Sequence, residues 1–279
     1  MPDPECSELG QRNSVRNLTC HPMAKHGTAL RKLANATRRA VRNPRWLRET
    51  VRTKRDAHAD RDRGFSLTDY AEHVCTVAEA LRDGFGVSAG EYDALKSRVR
   101  IPSAPDGSVW GGWPDILDLT GSLVLLRRPS VVLETGVAMG FTTAVILAAM
   151  DENDAGALHS IDLPPLQVDP ATFVGRVVPH ELRGRWTLHV GPSRSLLPGL
   201  ARKLAPIDVF VHDSDHSYPG QYDEYRQVWP HLVDGGALIS DDVFNPAFVD
   251  FARQVGERPY LIAPPDRDDA AVGLLVKTR

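Results

Sequence analysis

The sequence predicts an α/β protein: a doubly wound, mostly parallel seven-stranded sheet with a C-terminal antiparallel hairpin and an N-terminal helical extension. Three observations carry this. From Ser130 onward, short apolar runs alternate with helix-length segments, the pattern of a parallel sheet covered on both faces. Glycines and acids recur directly after those apolar runs, where a parallel sheet gathers its strand ends along one edge. The last two apolar runs are separated by a loop too short for a parallel crossover, so they pair antiparallel.

The elements follow in order. Residues 1–27 are polar, rich in turn formers and without periodicity, which predicts a disordered tail. Residues 28–112 form a basic helical extension. In it, Leu30, Leu33, Ala34 and Val41 fall at helical spacing over 28–56. Asn43-Pro44 breaks the pattern and starts a second helix, with Asn at the cap and Pro at the first position. Ser66 caps the next helix, which is predicted to run to about Arg82 before Gly84 and Gly86 break it. Ser88-Ala89-Gly90-Glu91 opens another. Residues 99–113 read as a Pro/Gly-rich loop ending in Trp110-Gly111-Gly112-Trp113, followed by a helix from Pro114 to Leu126.

The domain expected to carry the function spans 113–279. Its strands are predicted at Val131–Leu133, Ala157–Ile161, Trp186–Val190, Ile207–Val211 and Ala237–Ser240. Helices fit between them, among them Ser193–Leu204 and Gly220–Val233. A helix after Asn245-Pro246 runs to about Val255, and Arg258–Ala263 and Ala271–Lys277 form the closing pair.

Charge and composition narrow the functional classes. The net charge is -3, but residues 24–55 hold eleven Lys/Arg against the single acid Glu49. The rest of the chain is therefore acidic, and the basic helix reads first as a solvated face or one packed on an acidic neighbour. It lacks the interleaved aromatics of an RNA-binding surface, so nucleic acid is not an expected partner. The 3 cysteines, Cys6, Cys20 and Cys75, are odd in number and form no CxxC. Neither a disulfide framework nor a zinc site follows, and reduced thiols in a cytoplasmic protein are expected. No apolar run approaches the roughly 18 residues of a membrane span, and the first residues lack the apolar stretch of a secretory signal.

Four segments carry chemistry. Val131-Val132-Leu133-Glu134-Thr135-Gly136-Val137-Ala138-Met139-Gly140 is a buried strand, an acid, and a glycine turn into a helix. Gly136 permits the sharp turn and Gly140 the close approach of the helix. The spacing is GxxxG, with Ala138 where a dinucleotide fingerprint has its middle glycine. Asp162, at the end of the second strand, can accept hydrogen bonds from a ribose diol, whichever cofactor carries it. Glu134 discriminates better. An acid directly after the first strand repels a pyrophosphate and suits the sulfonium and ammonium of S-adenosylmethionine. Val211-His212-Asp213-Ser214-Asp215-His216 ends the fourth strand, and Gly235-Gly236 with Asp241-Asp242 bracket the fifth. Carboxylates and an imidazole thus converge on one sheet edge. A hard divalent cation, Mg²⁺ by default, relieves their repulsion.

Together these segments resemble class I S-adenosylmethionine-dependent methyltransferases, whose fold is Rossmann-like, over about Trp113 to Lys277. The closer likeness is to the bacterial metal-dependent small-molecule and sugar O-methyltransferases. The resemblance implies that Glu134, Gly136 and Gly140 line the methionine part of the cofactor, that Asp162 holds the ribose, and that Gly191-Pro192-Ser193 meets the adenine. It implies metal ligation by Asp213, Asp241 and Asp242, with Asp213 placed against the hydroxyl and His216 as general base. Asp215 competes with Asp213 as ligand, Ala138 departs from the glycine-rich turn, and the N-terminal extension carries no family pattern. The implied reaction is methyl transfer to a hydroxyl of a small molecule or sugar. A homo-oligomer is a possible further partner, with the N-terminal helices as the expected contact. The alternatives are a nicotinamide-dependent oxidoreductase and a non-catalytic S-adenosylmethionine-binding protein.

Overall fold

Strands form where β-branched and apolar residues run together, and the helices between them bury one or both faces. The computed structural model describes residues 36–37, 41, 44–60, 64–101, 114–264 and 267–278. The expected tail, most of the first basic helix and the Trp110–Trp113 motif lie outside the described residues. In chain order the structure has α1 (Pro44–Asp60), β1 (Val74–Cys75), α2 (Val77–Phe85), α3 (Ala89–Lys96), α4 (Pro114–Arg127), β2 (Val131–Thr135) and α5 (Phe141–Asn153). There follow β3 (Ala157–Asp162), α6 (Pro170–Phe173), β4 (Trp186–Val190), α7 (Ser193–Leu204), β5 (Ile207–His212) and α8 (Tyr218–Val228). The chain ends with β6 (Leu232–Val243), α9 (Ala247–Val255), β7 (Tyr260–Ile262) and β8 (Ala271–Val276).

The sheet order is β1-β7-β8-β6-β5-β2-β3-β4. Strands β2 through β6 pair parallel, and β8 runs antiparallel between β6 and β7. From β2 the chain moves outward to β3 and β4, then returns to place β5 on the other side of β2. That reversal opens a crevice at the carboxyl ends of the strands. Alternate residues of each strand feed opposite cores. Val132, Val209, Val211 and Ile239 pack with α4 and α5, while Leu133, Phe210 and Leu238 pack with α7, α8 and α9. Helix α5 is buried along nearly its whole length, as its unbroken apolar run Ala144–Leu147 requires.

Among the described residues the sheet has 8 strands, not the seven expected. The additional strand, β1, pairs parallel with β7. It arises because the helix predicted from Ser66 to Arg82 is divided. Ser66 caps only a 3₁₀ turn over Leu67–His73. A capping box then starts α2, with Thr76 Oγ1 accepting from the Glu79 N–H and the Glu79 carboxylate accepting from the Thr76 N–H. The same device starts α3 at Ser88 and Glu91. Helix α8 is shorter than predicted, because Pro230 lies in a separate 3₁₀ turn, Trp229–His231. The closing strands are antiparallel as expected.

Candidate functional site

The glycine turn after β2 is built by close backbone approach. Gly136 has φ +84, and a Cβ there would stand 1.7 Å from the Asp213 carbonyl oxygen. Only glycine lets the turns after β2 and β5 touch. Gly140, at φ +92, caps α5, and a Cβ would meet the Gly175 Cα at 2.7 Å. Between them Ala138 adopts φ +47. Ala138 therefore keeps the left-handed backbone that glycine favours.

Asp162 closes this turn. Its Oδ2 accepts from the Val137 N–H at 2.7 Å and from the Ala138 N–H at 2.8 Å. Burial raises its pKa, against the lowering effect of those two N–H groups. Glu134 lies deeper and is fully buried. Its carboxyl group accepts from Thr143 Oγ1 at 2.9 Å and Ser160 Oγ at 2.6 Å, and Ser160 Oγ accepts in turn from Trp186 Nε1. Burial pushes Glu134 up to about 8. It stands beneath the turn, outside the cavity lining.

The cavity at the strand ends has a volume of about 280 Å³. Gly136, Ala138, Asp162, Ser193 and Asp213 line it, so four of the chain's strand-end turns contribute. Among the described residues, its lining includes the carboxylates Glu49, Asp162, Asp213 and Asp215 and no Lys or Arg. Glu49 and Thr53 come from α1, which the sequence did not connect with the site.

Beside Asp213 stands the imidazole. His216 Nε2 is 3.5 Å from Asp213 Oδ1 and 3.8 Å from Asp242 Oδ2. Burial alone would lower its pKa, but the contact with Asp213 and the charges of Asp213, Asp242 and Asp241 hold it at about 9. The ordinary value near 6.5 assumed from sequence does not apply in this setting. Asp241 is pushed up to about 7 by burial and by the neighbouring Asp213 and Asp242. The loop is braced by Asn245, whose Nδ2 donates to the His216 carbonyl at 2.9 Å, and by Gln221 Nε2 donating to the Asp242 carbonyl.

A second network was not read from sequence. Glu224 of α8, buried at 3% exposure, accepts from Thr135 Oγ1 at 2.6 Å and Ser214 Oγ at 2.9 Å, and pairs with His212 Nδ1 at 2.8 Å. Burial opposes its charge, but His212 and the hydroxyl donors outweigh burial and its pKa is lowered. Glu224 thus ties the ends of β2 and β5 together under the cavity. The available signal was a histidine ending the apolar run Val209–Val211.

The donors Asp213, Asp241 and Asp242 suit a hard cation in chemistry, and Asp241 Oδ1 is buried with no hydrogen-bond partner. Among the described residues, however, no three His, Cys, Asp or Glu side chains form a group that could hold a metal ion. His216 is interposed near Asp213 and Asp242 instead.

Residues 133–243 match a family described as a methyltransferase domain, in agreement with the resemblance read from the sequence. The matched stretch runs from β2 to the end of β6. No functionally curated protein matches the chain. Among solved structures it is similar to the O-methyltransferase from Bacillus cereus in complex with SAH, at 15% identity over 72% of this chain and 97% of that one, TM-score 0.48. It is also similar to the O-methyltransferase TomG from Streptomyces achromogenes in complex with SAM, at 18% identity over 72% and 96%, TM-score 0.48. A putative O-methyltransferase from Klebsiella pneumoniae shares 19% identity over 72% and 96%, TM-score 0.45. At these levels the likeness adds nothing to what the sheet order shows.

Proposed function

We propose that this protein transfers a methyl group from S-adenosylmethionine to a hydroxyl oxygen of a small molecule or sugar. The observation that carries the reading is the cavity at the sheet's reversal point, whose lining among the described residues has four carboxylates and no Lys or Arg. A sulfonium and an ammonium are favoured there, and a pyrophosphate is not. The methyltransferase-domain match spans the cavity's strand-end turns. Asp162, clasping the glycine turn, is the ribose acceptor, with Gly136 shaping the floor, Gly140 packed behind it against Gly175, and Ser193 on the far side. Glu134 supports that floor from below.

Transfer proceeds by in-line displacement, and the chain's main contribution is to hold acceptor and methyl group close. Asp213 orients the hydroxyl. His216 receives its proton at Nε2 once the negative charge around the imidazole is offset. The contact with Asp213 and the neighbouring acids raise the His216 pKa, which favours the protonated imidazole. Mg²⁺ on Asp213, Asp241 and Asp242 would polarise the acceptor hydroxyl, but among the described residues these acids form no group that could hold it.

The test is incubation with methyl-labelled S-adenosylmethionine and a panel of sugars and hydroxylated small molecules, with Mg²⁺ or with EDTA. Label on an acceptor oxygen supports the reading, and loss of transfer in EDTA supports the cation. Transfer to nitrogen or carbon alone would overturn the hydroxyl assignment.

A further inference from the structure

Asp215 is two residues beyond Asp213 in the loop after β5, yet its oxygens point into a different set of contacts. Oδ1 accepts from the Ser217 N–H at 3.2 Å and Ser217 Oγ at 2.8 Å, and Ser217 is the N-cap of α8. Oδ2 accepts from Thr53 Oγ1 of α1 at 3.1 Å, and Arg52 Nη2 stands 3.9 Å away. The fit is close: a Cβ on Gly220 would lie 2.5 Å from the Asp215 Cγ. A second tie holds the same helix. Arg194 of α7 reaches Glu49 at 3.8 Å and Asp223 of α8 at 3.0 Å. Glu49 and Thr53 are four residues apart, on one face of α1, and both line the cavity.

We infer that Asp215 is a positioning residue that latches α1 through Thr53 as the outer wall of the cofactor cavity. Its Oδ2 holds Thr53 while its Oδ1 holds Ser217 at the start of α8, which leaves Asp213 and Asp242 as the acids facing His216. The basic helix is thereby packed on acids of the body, and it retains the cofactor without supplying any reacting group. This inference rests on the reading of the cavity as the S-adenosylmethionine site.

The experiment is amide hydrogen exchange over residues 44–60 in the ligand-free full chain, for wild type, Thr53→Val and Asp215→Asn, together with the binding kinetics of S-adenosylhomocysteine. In both variants α1 should exchange at least about fivefold faster without ligand, while β2 to β5 keep wild-type exchange. S-adenosylhomocysteine should dissociate about tenfold faster, with little change in association, as expected for a lost hydrogen bond to a charged group. Weaker binding without faster exchange of α1 would mean that Thr53 contacts the ligand directly, and would overturn the latch. Unchanged exchange and binding in Thr53→Val would also overturn it. A wild type that binds no S-adenosylhomocysteine removes the cofactor reading, and the ligand-free exchange of α1 still decides whether the latch exists.

Discussion

Glu134 shows how far a side chain's environment can move its chemistry. Read from sequence, it is an acid facing a cationic cofactor. In the fold it is enclosed, hydrogen-bonded to Thr143 and Ser160, and raised to about 8. The folded chain keeps a proton that the unfolded chain loses above the ordinary carboxylate range. This group therefore makes stability fall as pH rises from about 4.5 to about 8. Glu134→Gln should flatten that slope, and urea melts at about pH 6 and about pH 8 would show it. An unchanged slope would mean the carboxyl is already ionised. Ala138 offers a second test, since its φ of +47 strains any residue with a Cβ. Ala138→Gly should be neutral or stabilising by up to about 1 kcal/mol, despite glycine's greater freedom in the unfolded chain. His216→Ala should leave S-adenosylhomocysteine affinity within about twofold but slow transfer by about 10²-fold or more at saturating acceptor. Full turnover in that variant would remove His216 from the chemistry.

At the scale of elements, the glycine turn, the Asp162 strand end and the antiparallel ending were legible, because each is written in adjacent residues. Strand β1 was not, because a strand of 2 residues has no periodicity to read. It exists because Thr76 and Glu79 start α2 late enough to leave Val74 and Cys75 extended beside β7. Thr76→Ala should cost about 1 kcal/mol and raise hydrogen exchange at the α2 N-terminus and β1 first. Equal protection in variant and wild type would show that pairing with β7 alone holds β1. The Glu224 network escaped the sequence reading for another reason. Its partners Thr135 and His212 are 89 and 12 residues away, and only the parallel pairing of β2 with β5 brings them together.

For the whole molecule, the sheet order decides where chemistry gathers. The reversal between β2 and β5 brings the turns after β2, β3, β4 and β5 around one cavity, and α1 completes the wall. Of the residues named from sequence for the site, Gly136, Asp162, Ser193 and Asp213 line the cavity, whereas Glu134, Gly140, His216, Asp241 and Asp242 do not. Glu49 and Thr53 were not named, because a contact across 162 residues, such as Thr53 with Asp215, leaves no local pattern. Charge was informative only in part. The basic run pointed to an acidic neighbour, and Arg52 stands 3.9 Å from Asp215 of the protein's own body.

The central claim is that this acid-ringed cavity takes S-adenosylmethionine. Isothermal titration of the full chain with S-adenosylmethionine, S-adenosylhomocysteine and NADH, each with and without Mg²⁺, tests it most directly. The account predicts micromolar binding of the first two and none of NADH. Binding of NADH alone, or of none of the three, would contradict it.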